Sequence, residues 1–323
     1  MHSAPAIDVA DLRKTYTTGV LRRKQFPALA SVSFSVRPGE IFGLLGQNGA
    51  GKTTFIKILL GIIRKSAGRA ELLGQPAGKR SARRLVGYLP ENLRVPRHLT
   101  GYTALELYGQ LSGLSVREVV RRRGEILERV GLVERAKDSV TTYSKGMLQR
   151  LGLAQAMLHD PQVYILDEPT DGLDPIARQQ VRRTLSELKR QGKTIFLNSH
   201  ILQEVELICD RVAILDRGRL KFCGPVTELT SSGAVGAEDG VTVVWELVAE
   251  ESALREAFTL VRTDRWTPLG SDRWEVSSRL ARSSDIDGVL DALRGRGVSV
   301  QGIRPERSSL EDAYVQIVAE AVE

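Results

Sequence analysis

Cysteine is nearly missing from this sequence: 323 residues contain two, Cys209 and Cys223. They lie far apart in no C-x-x-C or metal-ligand spacing, which excludes a disulfide scaffold or thiolate metal site and points to a reducing interior. Long apolar runs are missing too. No stretch approaches the ~20 residues of a membrane span, and the opening MHSAPAIDVADLRK lacks the apolar segment of a secretory leader. The expectation is a chain that neither crosses a membrane nor enters a secretory path. Internal repeats and long low-complexity segments are absent. So is a basic stripe interleaved with aromatics, so nucleic acid is not an expected partner.

What remains is an ordinary globular composition, 42% hydrophobic and 26% charged. Single cores seldom grow past roughly 250 to 300 residues, so the length favours two domains. Charge divides the chain the same way. Residues 231–323 hold 10 Arg against 17 Asp or Glu, a net −7, while the whole chain is +7, leaving +14 on the first 230 residues. Those basic residues are scattered apart from short runs such as Arg121 to Arg123, which reads as solvated surface.

The first 230 residues read as alternating strands and helices. AIDVADLRKTY and ALASVSFSV are strands joined by a polar loop TTGVLRRKQFP; IFGLL, RAELLG and RLVGYLP follow. TALELYGQLSGL, VREVVRRRGEILERVGL and SKGMLQRLGLAQAML form a helical insert of about 92–158. VYILD, TIFLN and RVAILD then alternate with helices, so a mostly parallel sheet flanked by helices is the expected architecture. Residues 231–240 read as a linker. Beyond them, 241–323 reads as a small α+β unit, for which a ferredoxin-like arrangement is one reading, with strands at VTVVWELV, RWEV and VSVQGI and a last helix capped by Ser308 and Glu311.

Chemistry enters at GQNGAGKTT, Gly46 to Thr54. A buried strand precedes it, an apolar-faced helix follows, and the spacing is G-x-x-x-x-G-K-[ST]. The loop Gly46, Gln47, Asn48, Gly49, Ala50 and Gly51 can turn N–H groups inward, and the helix N-terminus adds positive field for a phosphate chain. Lys52 reaches the outer phosphates. Asp167 and Glu168 end the apolar run VYILDEP, where ligands of a parallel sheet gather. Asp167 with Thr53 supplies hard oxygens for Mg²⁺, and Glu168 can polarise or position an attacking water. His200 ends TIFLNS; if that strand neighbours VYILD, the imidazole reaches the same edge and can donate to the γ-phosphate or hold the water.

These stretches, in this order, resemble the ATP-binding cassette (ABC) ATPase family over about the first 225 residues. YSKGMLQR, Tyr143 to Arg150, stands where the family has its signature sequence; DGLD resembles the D-loop, GYLPE the Q-loop region, and Tyr16 the aromatic that stacks on adenine. The resemblance implies a P-loop NTPase cassette with a helical subdomain, ATP and Mg²⁺ as cofactors, and a nucleotide shared between two chains. Ser144, Gly146 and Asp174 of one chain would close over the phosphates held by Gly46 to Thr54 of the other. Two departures stand out. Lys145 and Met147 replace a signature glycine and glutamine, leaving Lys145 either to attract phosphate or to face solvent. Glu91 replaces the Q-loop glutamine; its carboxylate can accept a hydrogen bond or ligate Mg²⁺ but cannot donate as an amide does.

The signature variant, GYLPE and the SLED-like end are similar to ATPase subunits of bacterial ABC-2-type exporters. That implies a peripheral subunit on the cytoplasmic face of the membrane, paired with a second copy and a separate permease. Leu93, Val95 and Leu99 are the expected permease groove. The C-terminal unit reads as a stabilising or dimerising appendage in preference to a ligand sensor. Two rival functions, a soluble cassette acting on nucleic acid or ribosomes and an ATP-sensing regulator, are disfavoured by the lack of paired cassettes or coiled-coil inserts and by the presence of Glu168 and His200.

Overall fold

The computed structural model describes residues 4–18, 24–230, 241–258, 262–281, 285–305 and 309–319. They belong to two compact units, Met1–Pro225 and Val226–Glu323. The interval 231–240, read above as a linker, lies outside the described residues.

The first unit is built on a six-stranded sheet in the order Arg219–Pro225, Arg211–Asp216, Ile41–Leu45, Thr194–Asn198, Val163–Asp167, Val86–Leu89. The last five are mutually parallel, and Arg219–Pro225 pairs antiparallel at the edge. Every residue of Ile41–Leu45, Val163–Asp167 and Thr194–Asn198 is buried. Strands covered on both faces need unbroken apolar runs, which is what IFGLL, VYIL and TIFL supply. A second, antiparallel sheet has the order Lys24–Val36, Ile7–Thr18, Ala67–Leu72, Gln75–Pro76. The hairpin strands extend to Thr18 and back to Lys24, so the polar loop expected at 17–27 is shorter, and residues 19–23 lie outside the described residues. Four rings join the two sheets to the helix Lys52–Leu59: Phe34 stacks on Phe42 and Phe55 at 5.3 and 5.1 Å, and Phe196 on the same pair at 5.9 and 5.6 Å. This aromatic square fixes the helix that follows the glycine loop.

Between Val86–Leu89 and Val163–Asp167 come the helices Gly101–Leu111, Val116–Arg129 and Lys145–Met157. The first two open with capping boxes, Thr100 with Thr103 and Ser115 with Glu118. Part of the basic run read as solvated surface is structural. Arg123 pairs with Glu106 and lies 4.3 Å from the Tyr102 ring centroid, while Arg122 donates to the Leu158 carbonyl at 3.1 Å. At the end of this insert His159 places Nε2 3.1 Å from the Val86 carbonyl, and its Nδ1 is buried without a partner.

Burial makes the His159 imidazole harder to protonate than usual, against a weaker opposing pull from the Val86 carbonyl. A base with a depressed folded-state value contributes stability above its unfolded value, near pH 6.5, and loses it as pH falls. The melting temperature is therefore expected to drop below about pH 6.5, and His159→Gln to flatten that limb in thermal melts taken between pH 5 and 8. An unchanged slope in the variant would remove His159 from the acid sensitivity.

The second unit has a four-stranded antiparallel sheet in the order Arg262–Gly270, Arg273–Leu280, Val241–Val248, Ser299–Pro305, with helices Glu251–Ala257 and Asp285–Gly295 between strands. The β-α-β-β-α-β succession and this order are ferredoxin-like. Arg262–Gly270 is a fourth strand that the sequence reading did not anticipate. It carries Arg265 and Pro268, and an edge strand tolerates both charge and proline. The last helix is Leu310–Ala319. Its capping pair is Ser309 and Asp312, each donating a backbone N–H to the other's side chain at 3.1 Å; Ser308 lies outside the described residues.

Candidate functional site

Parallel pairing brings the chemistry to one edge. Ile41–Leu45, Thr194–Asn198 and Val163–Asp167 are consecutive in the sheet, with Leu44 opposite Asn198 and Asn198 opposite Asp167. The glycine loop, Glu168 and His200 therefore leave the sheet side by side. Val86–Leu89 pairs with Val163–Asp167 and delivers Glu91 to this edge as an exposed residue.

In the loop, Gly51 has φ +106° and a Cβ there would stand 2.6 Å from the Ala28 carbonyl oxygen, so only glycine fits. The helix Lys52–Leu59 begins with no side-chain cap and no acidic residue in its first turn. Its amide end keeps its positive field for an anion. Gln47, Asn48, Gly49 and Thr53 are exposed, Gly46 and Thr54 half-buried, and Ala50 buried. Lys52 is buried and donates from Nζ to the carbonyls of Gly46 at 2.5 Å and Gln47 at 3.2 Å. Burial lowers its affinity for a proton, opposed by the carboxylates of Glu168, Asp167 and Glu91.

Asp167 and Glu168 are buried and both hold protons more tightly than ordinary carboxyls, chiefly through burial. Asn198 Nδ2 donates to Asp167 Oδ1, opposing that shift. For Glu168 the opposing group is His200, whose Nδ1 lies 2.8 Å and backbone N 3.2 Å from Oε2. Glu168 itself sits at φ +52°, a left-handed conformation unusual for a residue with a Cβ. Its N–H donates to the Asn198 carbonyl at 2.9 Å, and its carbonyl accepts from Gln149 Nε2 at 2.7 Å.

Asn198 Oδ1 is buried without a partner. Among the described residues no group of three or more His, Cys, Asp or Glu side chains forms a metal site. The donor set thus suits a hard cation held by one or two protein oxygens and completed by phosphate and water, the habit of Mg²⁺.

Around this core, Ser144 caps Lys145–Met157 by accepting from the Met147 N–H at 3.2 Å. Lys145 is exposed, one of the two outcomes left open for it, with Nζ bonded to Asp171 Oδ2 at 2.5 Å and its stem along Gly172. A Cβ on Gly146 would stand 3.0 Å from Leu173, so the helix start packs closely on the segment leading to Asp174. Asp174 caps Pro175–Arg190 by accepting from the Ala177 N–H at 2.8 Å. Tyr16 is half-buried, with the Lys14 ammonium 4.9 Å from its ring centroid, and pairs across the hairpin with Phe26, an exposed aromatic. Leu93, Val95 and Leu99 are half-buried, and Leu93 packs over Gly152 of the signature helix.

Gln149, Asn198 and Phe26 are site neighbours that sequence reasoning missed. A polar residue on the buried side of an apolar helix, and another ending a buried strand, were the available signals for the first two.

A glycine loop with a lysine, paired carboxylates and a histidine at the carboxyl edge of a parallel sheet define a phosphate-loop nucleotide hydrolase. Residues 29–171 match the ABC transporter family. An uncharacterised ABC transporter ATP-binding protein of Synechocystis is 41% identical over 319 residues, covering 98% of this chain and 86% of its own. The Nod factor export ATP-binding protein I of a Rhizobium species is 39% identical over 325 residues, 99% of each chain. A solved ATP-binding subunit of an ABC transporter superposes with a TM-score of 0.61 at 34% identity, covering 69% of this chain and 91% of its own. The chain belongs to the ABC transporter ATP-binding family and is an ATP-binding, ATP-hydrolysing subunit.

Proposed function

We propose that this subunit powers export through a separate membrane permease, working as a head-to-tail pair on the cytoplasmic face. The observation that supports export is end-to-end similarity to a Nod factor export ATPase, C-terminal unit included. Among the described residues no helix is long and apolar enough to cross a membrane, which agrees with a pore supplied by another polypeptide.

In this reading the amides of Gly46 to Thr54 and the Lys52 ammonium hold the triphosphate, and Tyr16, with Phe26 beside it, offers a flat apolar wall to adenine. Thr53 and Asp167, with Glu91 nearby, would hold Mg²⁺, which supplies charge neutralisation on the phosphates. Glu168 accepts a proton from water as the water oxygen bonds the γ-phosphorus. The bond from that phosphorus to the bridging oxygen breaks, and its electron pair leaves on ADP. His200 orients the Glu168 carboxylate through Nδ1. Ser144, Gly146 and Asp174 of the second copy close the site, so hydrolysis and separation of the pair are linked.

Solubilised native membranes test this. The chain is expected to copurify with a multi-span membrane protein and to hydrolyse ATP in that assembly. Recovery with ribosomes or nucleic acid and never with a membrane protein would overturn the reading.

A further inference from the structure

We infer that Gln149 is a positioning residue for ATP hydrolysis: from inside the signature helix its side-chain amide holds the Glu168 peptide in the orientation that aims the catalytic carboxylate. The inference rests on Glu168 being the general base.

Glu168 stands at φ +52°, and a residue with a Cβ persists there only when its surroundings over-determine it. Three hydrogen bonds do so. Asn198 takes the Glu168 N–H at 2.9 Å, Gln149 Nε2 supplies a 2.7 Å bond to the Glu168 carbonyl, and the Asp171 N–H adds a longer one of 3.2 Å to the same carbonyl. The first comes with the sheet edge, whose register already places Asn198 beside Asp167. The second comes from a side chain 19 positions away in sequence and almost fully buried on a helix otherwise facing inward with Leu151, Leu153, Ala154 and Met157. An amide at such a position would be costly without a partner; its partner is the main chain of the proposed base. With that bond gone, the carbonyl keeps only the longer turn bond from Asp171, so the Glu168 peptide can relax towards ordinary backbone angles and the carboxylate swing from its place beside His200. Gln149 also lies five residues past Ser144 on one helix, about 7.5 Å along its axis. The helix end assigned to the partner's nucleotide is thereby joined rigidly to the group that activates water.

The test is a cycle of Gln149→Met, which keeps length and burial but cannot donate, with Glu168→Gln. Single-turnover ATP hydrolysis, ATP affinity and melting temperature are read on the full chain. For Gln149→Met alone, kcat is expected to fall about ten- to a hundredfold, the scale of a displacement near 1 Å, with KM and ATP affinity within about twofold. In the Glu168→Gln background the same substitution is expected to cost nothing further, because no base remains to be aimed. Gln149→Asn, polar but too short to reach, should repeat the loss if the thioether packs poorly. Unchanged kcat, an equal loss in both backgrounds, or a loss of affinity and stability in step with kcat would each overturn the inference. If instead Glu168→Gln alone hydrolyses ATP normally, it is the assignment of the base that fails.

Discussion

Glu168→Gln is expected to bind ATP, accumulate as a closed pair and turn over at least about a hundredfold more slowly, since general-base work contributes roughly 10² to 10⁴ in rate. The substitution is close to isosteric, and an amide can still bond the His200 ring and main chain that now contact Oε2 at 2.8 and 3.2 Å. Geometry is preserved and proton acceptance is lost. Stability should not fall. Burial raises the proton affinity of Glu168, so its contribution to folding is full below the unfolded carboxylate value and is lost as pH rises through the raised one. At neutral pH the neutral amide avoids burying that charge. Phosphate release, ATP-dependent size-exclusion profiles and thermal melts measure the three effects, and hydrolysis at the parental rate would refute the base assignment.

The parts of this site that were legible in the sequence are those whose geometry is local. Nine consecutive residues write the loop, and the strand before and helix after it are visible as apolar runs. Asp167 and Glu168 are legible for the same reason. His200 depended on a strand neighbour, which the pairing of Val163–Asp167 with Thr194–Asn198 supplies. What was not legible is long-range or conformational. No pattern announces that Glu168 takes a left-handed backbone, and without it there is no reason to seek an amide donor for its carbonyl. Lys145 illustrates the same limit: a charge beside a helix start left phosphate or solvent open, and the exposed side chain also meets Asp171 at 2.5 Å, a partner that only the fold supplies. In the C-terminal unit, Arg262–Gly270 escaped because an edge strand need not alternate. The sequence reading caps the last helix with Ser308 and Glu311, whereas Ser309 pairs with Asp312 one residue further on at the same three-residue spacing.

Lys52→Met should separate ligand binding from folding most cleanly. Hydrogen bonds from charged groups contribute about 1.5 to 3 kcal/mol, so losing the ammonium should weaken ATP binding about tenfold to a hundredfold. A residue that merely held the loop together would instead lower the melting temperature. Lys52 does bond the carbonyls of Gly46 and Gln47, but Gln47 is exposed and Gly46 half-buried, so water can take over both acceptors. Against that small loss stands the burial that depresses the Lys52 proton affinity despite Glu168, Asp167 and Glu91 nearby. A depressed base carries its folding penalty at every pH below its folded value, and Met removes it. Near neutral pH the variant is therefore expected to melt no lower than its parent while nucleotide titration shows the weakened binding. Parental affinity would dismantle the phosphate cradle, and a collapse in melting temperature would make Lys52 a structural residue.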